Sequence, residues 1–215
     1  MERRRTSKPP RTRDADRSRE AILDAAERLF AEWGFDRVTL ADIGAAASLS
    51  RGAPRYYFGA KDELYAAVLA RVFAARTAAL EPAFAPLRAW DGDGPLEDAL
   101  RVAIDGYVDF LRARPTFVAL SQREALDGGE RLAATPHESP VMRDALASLR
   151  RRAKRHDLRP FDVDQVLIAF LSLCFFPLSA RGTLLRTLGR DAGDPAFDRA
   201  HREHVLAALS RLVMQ

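Results

Sequence analysis

Apolar residues recur with helical spacing along almost the whole chain, and no segment alternates with period two for long enough to predict a strand. In the first predicted helix, six apolar residues fall at i, i+3, i+4, i+7, i+8 and i+11 and form one stripe: Ile22, Ala25, Ala26, Leu29, Phe30 and Trp33. Such a stripe is typical of a helix that packs against other helices. We therefore predict an all-α fold.

Capping residues, glycines and prolines divide the rest of the chain into further predicted helices. Thr39 followed by Asp42 resembles a capping box that starts the second helix. A fourth helix opens at Lys61 and is expected to end at Glu81, because Pro82 cannot supply the next backbone donor. Later helices are predicted at about 96–113, 115–126, 139–156, 163–188 and 195–213.

Positive charge is concentrated at the start of the chain. The formal net charge is +4, and residues 1–19 alone contain eight Arg or Lys against three Asp or Glu, so the remainder is close to neutral. We predict a flexible basic arm over residues 1–17. This arm is either a solvated tail without a partner or a segment that binds a polyanion. In the second case it enters a minor groove of DNA or is held by electrostatic attraction alone.

Several classes of protein are disfavoured by the composition. A single cysteine cannot form an internal disulfide, and the longest apolar run, residues 166–180, is shorter than the roughly 20 residues that span a bilayer. Four scattered histidines and Cys174 make no metal-ligand set, and no nucleophile, base and orienting group share a recognisable spacing. We expect a cytoplasmic protein that contacts no membrane and has no catalytic site, metal or cofactor.

Residues 38–61 predict two short helices joined by a three-residue turn, Ser48 to Ser50. A helix that enters the major groove needs small residues where its backbone meets the base edges and long donors beside them. The second short helix has both, in the sequence Arg51-Gly52-Ala53 followed by Arg55-Tyr56-Tyr57. Ser50 is expected to cap this helix by accepting from the N–H of Gly52 or Ala53, and Pro54 falls in its first turn. The pattern indicates DNA binding.

Residues 18–65 resemble the DNA-binding domain of TetR family transcriptional regulators. The features in register are Phe30 with Gly34, Thr39, Ile43, Ser50 with Arg51-Gly52, the aromatic triplet at 56–58, and Lys61 with Leu64. The resemblance implies a helix-turn-helix domain over residues 18–62 and a helical effector-binding and dimerisation domain over 63–215. The second half is similar to the family's divergent C-terminal domain more loosely.

The resemblance also implies a set of DNA-binding residues. Thr39, Tyr56, Tyr57 and Lys61 are expected to meet phosphates, whereas Arg51, Gly52, Ala53 and Arg55 are expected to approach base edges, with Ser50 in the same set. Phe58 is expected instead to pack against the first helix.

Three positions depart from the usual family pattern. Ser48 stands where the turn usually has glycine. Arg55 stands where an aromatic residue is frequent. This leaves two roles open for Arg55, which either reads a base or only touches phosphate. Ala60 replaces a capping Ser or Thr, which weakens the start of the fourth helix by about 1 kcal/mol.

Aromatic residues at helical spacing in the second half are mostly expected to be core, but helix bundles also place ligand cavities between their helices. The candidate ligand-binding residues are Tyr107, Phe110, Phe117, Arg123, Glu124 and Phe170.

The apolar stretch 167–178 and the last helix have more apolar surface than one protomer is expected to bury; in the last helix this surface comprises Val205, Leu206, Leu209, Leu212 and Val213. Pairing both helices across a two-fold axis would form a homodimer. The predicted function is a ligand-responsive regulator, a repressor released from a double-stranded DNA operator by an unidentified small-molecule effector. The alternative is a helical architectural or interaction protein that binds DNA without an effector pocket.

Overall fold

The computed structural model describes residues 11–91, 94–135, 140–152 and 158–214. Within these ranges the structure consists of helices, turns and one isolated β-bridge between Leu158 and Met214, which confirms the all-α prediction. The helices are α1 (Arg11–Trp33), α2 (Leu40–Ala46), α3 (Ala53–Phe58), α4 (Lys61–Ala89), α5 (Leu96–Ala113), α6 (Pro115–Leu126), α7 (Glu130–Ala133), α8 (Pro140–Arg152), α9 (Val163–Ser179) and α10 (Pro195–Val213).

Helices α1 to α3 and the first turns of α4 form an N-terminal unit, the head, around Ile22, Phe30, Ile43 and Leu64, all of which are fully buried. Helix α1 begins at Arg11 and so includes part of the segment predicted as an arm, whereas residues 1–10 lie outside the described ranges. Trp33, assigned from the sequence to the buried stripe, is 47% exposed.

The capping box at the start of α2 is confirmed. The Asp42 N–H donates to Thr39 Oγ1 at 3.2 Å, and the Thr39 N–H donates to Asp42 Oδ2 at 3.0 Å. The predicted Ser50 cap is wrong, because α3 begins at Ala53 with Gly52 at its cap position. Ser50 instead accepts the Ala53 N–H through its backbone carbonyl, at 3.0 Å.

The turn between α2 and α3 depends on a close backbone approach at Gly44. A Cβ atom placed on Gly44 would lie 2.6 Å from the Ser50 carbonyl oxygen, a distance that atoms in contact do not reach. The turn itself passes through Ser48 at a φ of 57°, the left-handed region that favours glycine. The two helices therefore cross at a separation that only a glycine permits.

Helix α4 continues eight residues beyond its predicted end and includes Pro82 and Pro86. Each proline in a helix interior costs about 3 kcal/mol. Leu80, Phe84 and Leu87 are buried on the same segment, and full burial stabilises each by about 1.5–3 kcal/mol. Tertiary packing against α5 and α8 therefore offsets the local preference that predicted a helix end at Glu81.

Helices α4 to α10 form the second unit, the bundle. The predicted bounds of α5, α6 and α10 are confirmed. The helix predicted over 139–156 is described as Pro140–Arg152, and its remaining residues lie outside the described ranges. The helix predicted over 163–188 ends at Ser179 and is followed by a wide π-helical turn, Arg181–Leu185. No described helix is long and apolar enough to cross a membrane.

We predict that Gly44→Ala destabilises the protein by about 1–3 kcal/mol, because the added methyl group forces α2 away from the Ser50 carbonyl. Gly52→Ala is the matched control, since a Cβ there meets nothing within 4 Å and its φ is −88°. Urea unfolding measures both. Equal stability of the two variants would contradict the close approach at Gly44.

Candidate nucleic-acid interface

On one side of the head, α3 and Arg51, the residue before its cap, lie at the surface. Arg51, Gly52, Arg55 and Tyr56 are exposed, and Tyr56 retains 84% of its accessible surface. The rings of Tyr56 and Tyr57 meet edge to face with centroids 5.1 Å apart. Long donors and hydroxyls therefore project from a short helix with small residues at its start.

Arg19 of α1 contacts the end of α3 in two ways. Arg19 Nη1 donates to the Tyr57 carbonyl oxygen at 3.1 Å, and the Arg19 guanidinium lies 4.2 Å from the centroid of the Phe58 ring. Phe58 thus packs toward α1, as the sequence predicts, while buried Pro54 anchors the other end of α3. The outward face of α3 remains open.

Thr39 is exposed, but both of its hydrogen-bonding groups are engaged within the capping box. Besides the backbone bond, Thr39 Oγ1 donates to Asp42 Oδ2 at 2.6 Å. These two bonds from Thr39 lower the pKa of Asp42. A bond from the Thr39 hydroxyl to a phosphate requires its proton to turn away from Asp42, so that contact stays a prediction.

Lys61 has an internal role that the sequence did not reveal. Its Nζ donates to the carbonyl oxygens of Phe35 and Val38, at 3.0 and 3.2 Å, and lies 4.2 Å from the centroid of the Phe35 ring. Two of the three ammonium protons therefore stabilise the loop between α1 and α2. The predicted phosphate contact is left to the third.

Gly52 and Ala53 occupy the cap and first positions of α3. Nothing in the described chain lies within 4 Å of a Cβ built on Gly52, so no internal contact requires glycine at this position. A glycine here would allow another molecule to approach the backbone closely, because no side chain intervenes.

Arg55 lies exposed beside Tyr56. Whether it contacts a base or a phosphate stays a prediction.

The head and the bundle each match a known sequence profile. Residues 22–68 match "Bacterial regulatory proteins, tetR family", and residues 97–209, more than half of the chain, match "Tetracyclin repressor-like, C-terminal domain". The chain belongs to the TetR family. The resemblance found in residues 18–65 is thereby confirmed and extended to the bundle.

Similar proteins agree with this assignment to the TetR family. The transcriptional repressor NicS of Pseudomonas putida is 30% identical over 189 residues, 86% of each chain. The repressor AcnR of Corynebacterium glutamicum is 46% identical over 61 residues, which cover 28% of this chain and 32% of that protein. A transcriptional regulator structure from Streptomyces coelicolor has a TM-score of 0.67 at 22% identity and covers 91% of this chain and 98% of its own, so it shows the fold.

TetR family membership makes this chain a DNA-binding transcriptional regulator rather than an enzyme. The protonation state of the Cys174 thiol is that of a buried core residue and not that of a nucleophile. Its side chain is buried, and burial raises the pKa of the thiol to about 12. At neutral pH the sulfur is therefore protonated, whereas a nucleophilic cysteine acts as the thiolate.

A cavity of about 450 Å³ lies in the bundle, between α4, α5, α6, α7 and α9. Of the six candidate ligand-binding residues, Tyr107 and Phe117 line it. Phe110 and Phe170 are buried behind them, with Phe110 packed on Phe117 and Phe170 stacked on Tyr107. The sequence did not single out the other lining residues, which are Phe73, Arg76, Ser121, Leu132, Leu171, Ser172, Phe175 and Phe176.

The remaining two candidates, Arg123 and Glu124, lie on α6 outside the cavity lining and connect helices. Arg123 Nε donates to the Ala31 carbonyl at 3.1 Å, and its Nη2 donates to the Glu32 carbonyl at 2.6 Å, which satisfies free carbonyls at the end of α1. Buried Glu124 accepts from Tyr65 Oη at 2.7 Å and from the Leu132 N–H at 2.8 Å. Burial and this bond raise the pKa of Tyr65.

Further polar contacts join the head to the bundle near the same place. Arg71 of α4 forms ion pairs with Glu20, Asp24 and Glu27 of α1, the shortest at 2.6 Å to Glu27. Thr116, at the start of α6, donates to the other carboxylate oxygen of Glu27 at 2.6 Å. Helix α6 thus contacts α1 at both of its ends and the cavity in its middle.

We predict that Arg51→Ala lowers affinity for the specific operator about 10- to 100-fold, because a bidentate arginine–guanine contact contributes about 1–3 kcal/mol of discrimination. Tyr56→Phe should weaken binding to the operator and to random duplex by similar, smaller factors, because the hydroxyl is expected to meet phosphate. Titration of both DNAs with each variant measures this difference. Equal losses on operator and random duplex for Arg51→Ala would contradict base reading by Arg51.

Proposed function

We propose that this protein is a homodimeric repressor that binds a pseudo-palindromic operator and leaves it when a small molecule occupies the bundle cavity. The observation that carries this proposal is the exposed surface at the start of α3, where Arg51, Arg55 and Tyr56 flank the bare backbone of the cap residue Gly52. The chain is similar over 86% of its length to a protein named as a transcriptional repressor, which supports the proposal that this protein represses transcription. Because a regulator must reach the DNA that it binds, we place the protein in the cytoplasm.

We assign the dimer interface mainly to α9. Ile168 and Phe176 lie two turns apart on one face of this helix and are 56% and 53% exposed. Helix α10 contributes less than its sequence indicated, because Val205, Leu206, Leu209 and Val213 are buried within the protomer and only Leu212, at 45%, is exposed. A second copy of the chain would bury the α9 face and place two α3 helices on one duplex.

Genomic fragments retained by the purified protein should contain a site with two-fold symmetry, protected as two half-sites. Ile168→Asp should yield monomers and lower affinity for that site by more than tenfold, since a charge on an interface opposes burial. Leu126→Asp is the matched control, because Leu126 is 86% exposed on α6. Sedimentation and footprinting measure both properties, and a dimeric, fully active Ile168→Asp variant would contradict the α9 interface.

Effector release requires that the ligand prefer a head arrangement that cannot bind DNA. A preference of about 1–3 kcal/mol weakens operator binding about 5- to 150-fold, and DNA weakens ligand binding by the same factor. Helix α6 supports this coupling, because Phe117 and Ser121 line the cavity while Thr116 and Arg123 bond to α1. The cavity also favours this proposal over an architectural protein without a pocket.

We predict that Arg123→Met reduces the effect of a bound ligand on operator affinity at least about threefold, because it removes both bonds between the last turn of α6 and the end of α1. Ligand affinity without DNA should change little, since Arg123 does not line the cavity. Arg151→Met, which alters an exposed arginine of α8, is the control. An unchanged ligand response in Arg123→Met would exclude this connection.

A further inference from the structure

The cavity in the bundle has a largely aromatic wall. Of the ten described residues that line it, five carry rings, and they come from α4, α5, α6 and α9: Phe73, Tyr107, Phe117, Phe175 and Phe176. The rings of Phe73 and Phe117 meet edge to face, with centroids 5.2 Å apart. Aromatic pairs in such arrangements contribute more than the area that they bury. At about 450 Å³ the cavity has the size of a small-molecule site, and its wall suits a flat aromatic body.

The charged groups around the cavity are already satisfied by the protein. The described part of the lining contains no Asp or Glu, so a cationic ligand would have no counter-ion there. Arg76 is engaged by other groups of the chain, among them the ring of Phe73, whose centroid lies 4.8 Å from the guanidinium carbon. Transfer of an ion from water into a site that offers no free counter-ion is unfavourable. The cavity therefore favours a neutral molecule.

One hydroxyl group at the cavity has no hydrogen bond. Ser121 belongs to the lining, and its Oγ is shielded from solvent and has no partner within the described part of the chain. A buried donor without an acceptor is unfavourable. Because a serine side chain turns among three staggered positions about its Cα–Cβ bond, its proton can be directed to a ligand oxygen at this part of the wall. Ser121 is thus a donor that awaits an acceptor.

A second hydroxyl in the lining also favours an acceptor on the ligand. Burial raises the pKa of Tyr107, so its phenol stays neutral and keeps its proton at physiological pH. The Tyr107 ring is held in place by stacking on Phe170, with centroids 5.3 Å apart. A carbonyl oxygen has two lone pairs and no proton, which makes it a suitable partner for neutral hydroxyl donors.

We propose that the cavity binds a neutral, flat aromatic carbonyl compound whose oxygen accepts from Ser121 and whose rings lie among Phe73, Phe117 and Phe175. A hydrocarbon of the same shape would leave the Ser121 hydroxyl without its acceptor, and the corresponding carboxylate would be buried without a free counter-ion. The assignment of this compound as the effector rests on the proposed function; its binding does not.

Equilibrium dialysis of the full chain without DNA tests the proposal with three probes of nearly the same shape. The ketone 2-acetylnaphthalene has the carbonyl oxygen, 2-isopropenylnaphthalene has a CH₂ group in its place, and 2-naphthoate has a charged oxygen in place of the methyl group. The ketone should bind about three- to tenfold more tightly than the alkene, because only the ketone accepts a hydrogen bond. It should bind at least about tenfold more tightly than the carboxylate, whose charge opposes burial. If the alkene or the carboxylate binds as tightly as the ketone, or if the ketone does not bind, the proposal is wrong.

Two serine variants locate the hydrogen bond. Ser121→Ala should make ketone and alkene bind equally, and it is expected to fold because it removes a hydroxyl that forms no bond within the described structure. Ser210→Ala is the matched control, since Ser210 Oγ is also buried without a partner in the described ranges, but on α10 and outside the cavity lining. It should retain the full preference for the ketone. A preference that survives in Ser121→Ala would place the carbonyl elsewhere and overturn the proposal.

A third variant tests the aromatic wall independently of the hydroxyl. Phe117→Leu removes one ring from the lining and should weaken ketone and alkene alike, by about threefold or more, because both probes have the same rings. Unchanged binding of both would contradict the assignment to this cavity. None of these measurements uses DNA, so a protein that binds the ketone and no operator would refute the proposed function and leave this inference standing.

Discussion

The continuity of α4 through Pro82 and Pro86 is the constraint on which the rest of the structure depends. This one helix has 29 residues and spans about 43 Å at a rise of 1.5 Å per residue. Its start contributes Leu64 and Val68 to the interior of the head, its middle contributes Phe73 and Arg76 to the cavity, and its last turns pack in the bundle. A helix that ended before Pro82 would remove Phe84 and Leu87 from the packing of the bundle, because both residues lie beyond that proline.

A second connection between head and bundle consists of polar contacts made by α6. The four carbonyls at the end of an α-helix have no partner within it, and α1 has no basic residue in its last turn. Arg123 satisfies two of them from another helix and brings a positive charge to the negative end of α1. In the loop after α1, the centroid of the Phe35 ring lies 4.2 Å from Lys61 Nζ and 4.1 Å from the guanidinium carbon of Arg131, so two cations contact one ring.

The head shows how residues of one motif divide between reading DNA and maintaining structure. The side chains of Arg51, Arg55 and Tyr56 are exposed, whereas those of Thr39 and Lys61 donate to groups of the head itself. The sequence pattern placed all five in one functional set. An exposed long side chain donates to free backbone carbonyls when they lie within hydrogen-bond distance. For Lys61 that distance depends on how the loop between α1 and α2 folds.

The sequence by itself determined the helical class, the cap of α2, the bounds of α5, α6 and α10, and the TetR family, because each depends on residues a few positions apart. Only the tertiary structure decided that α4 passes through its prolines, that Arg123 and Glu124 connect helices, and that Arg76 faces a cavity. Those outcomes depend on which helix faces pack against each other. Contacts between segments far apart in the chain determine how the helices pair, and the spacing of residues within one helix does not predict that pairing.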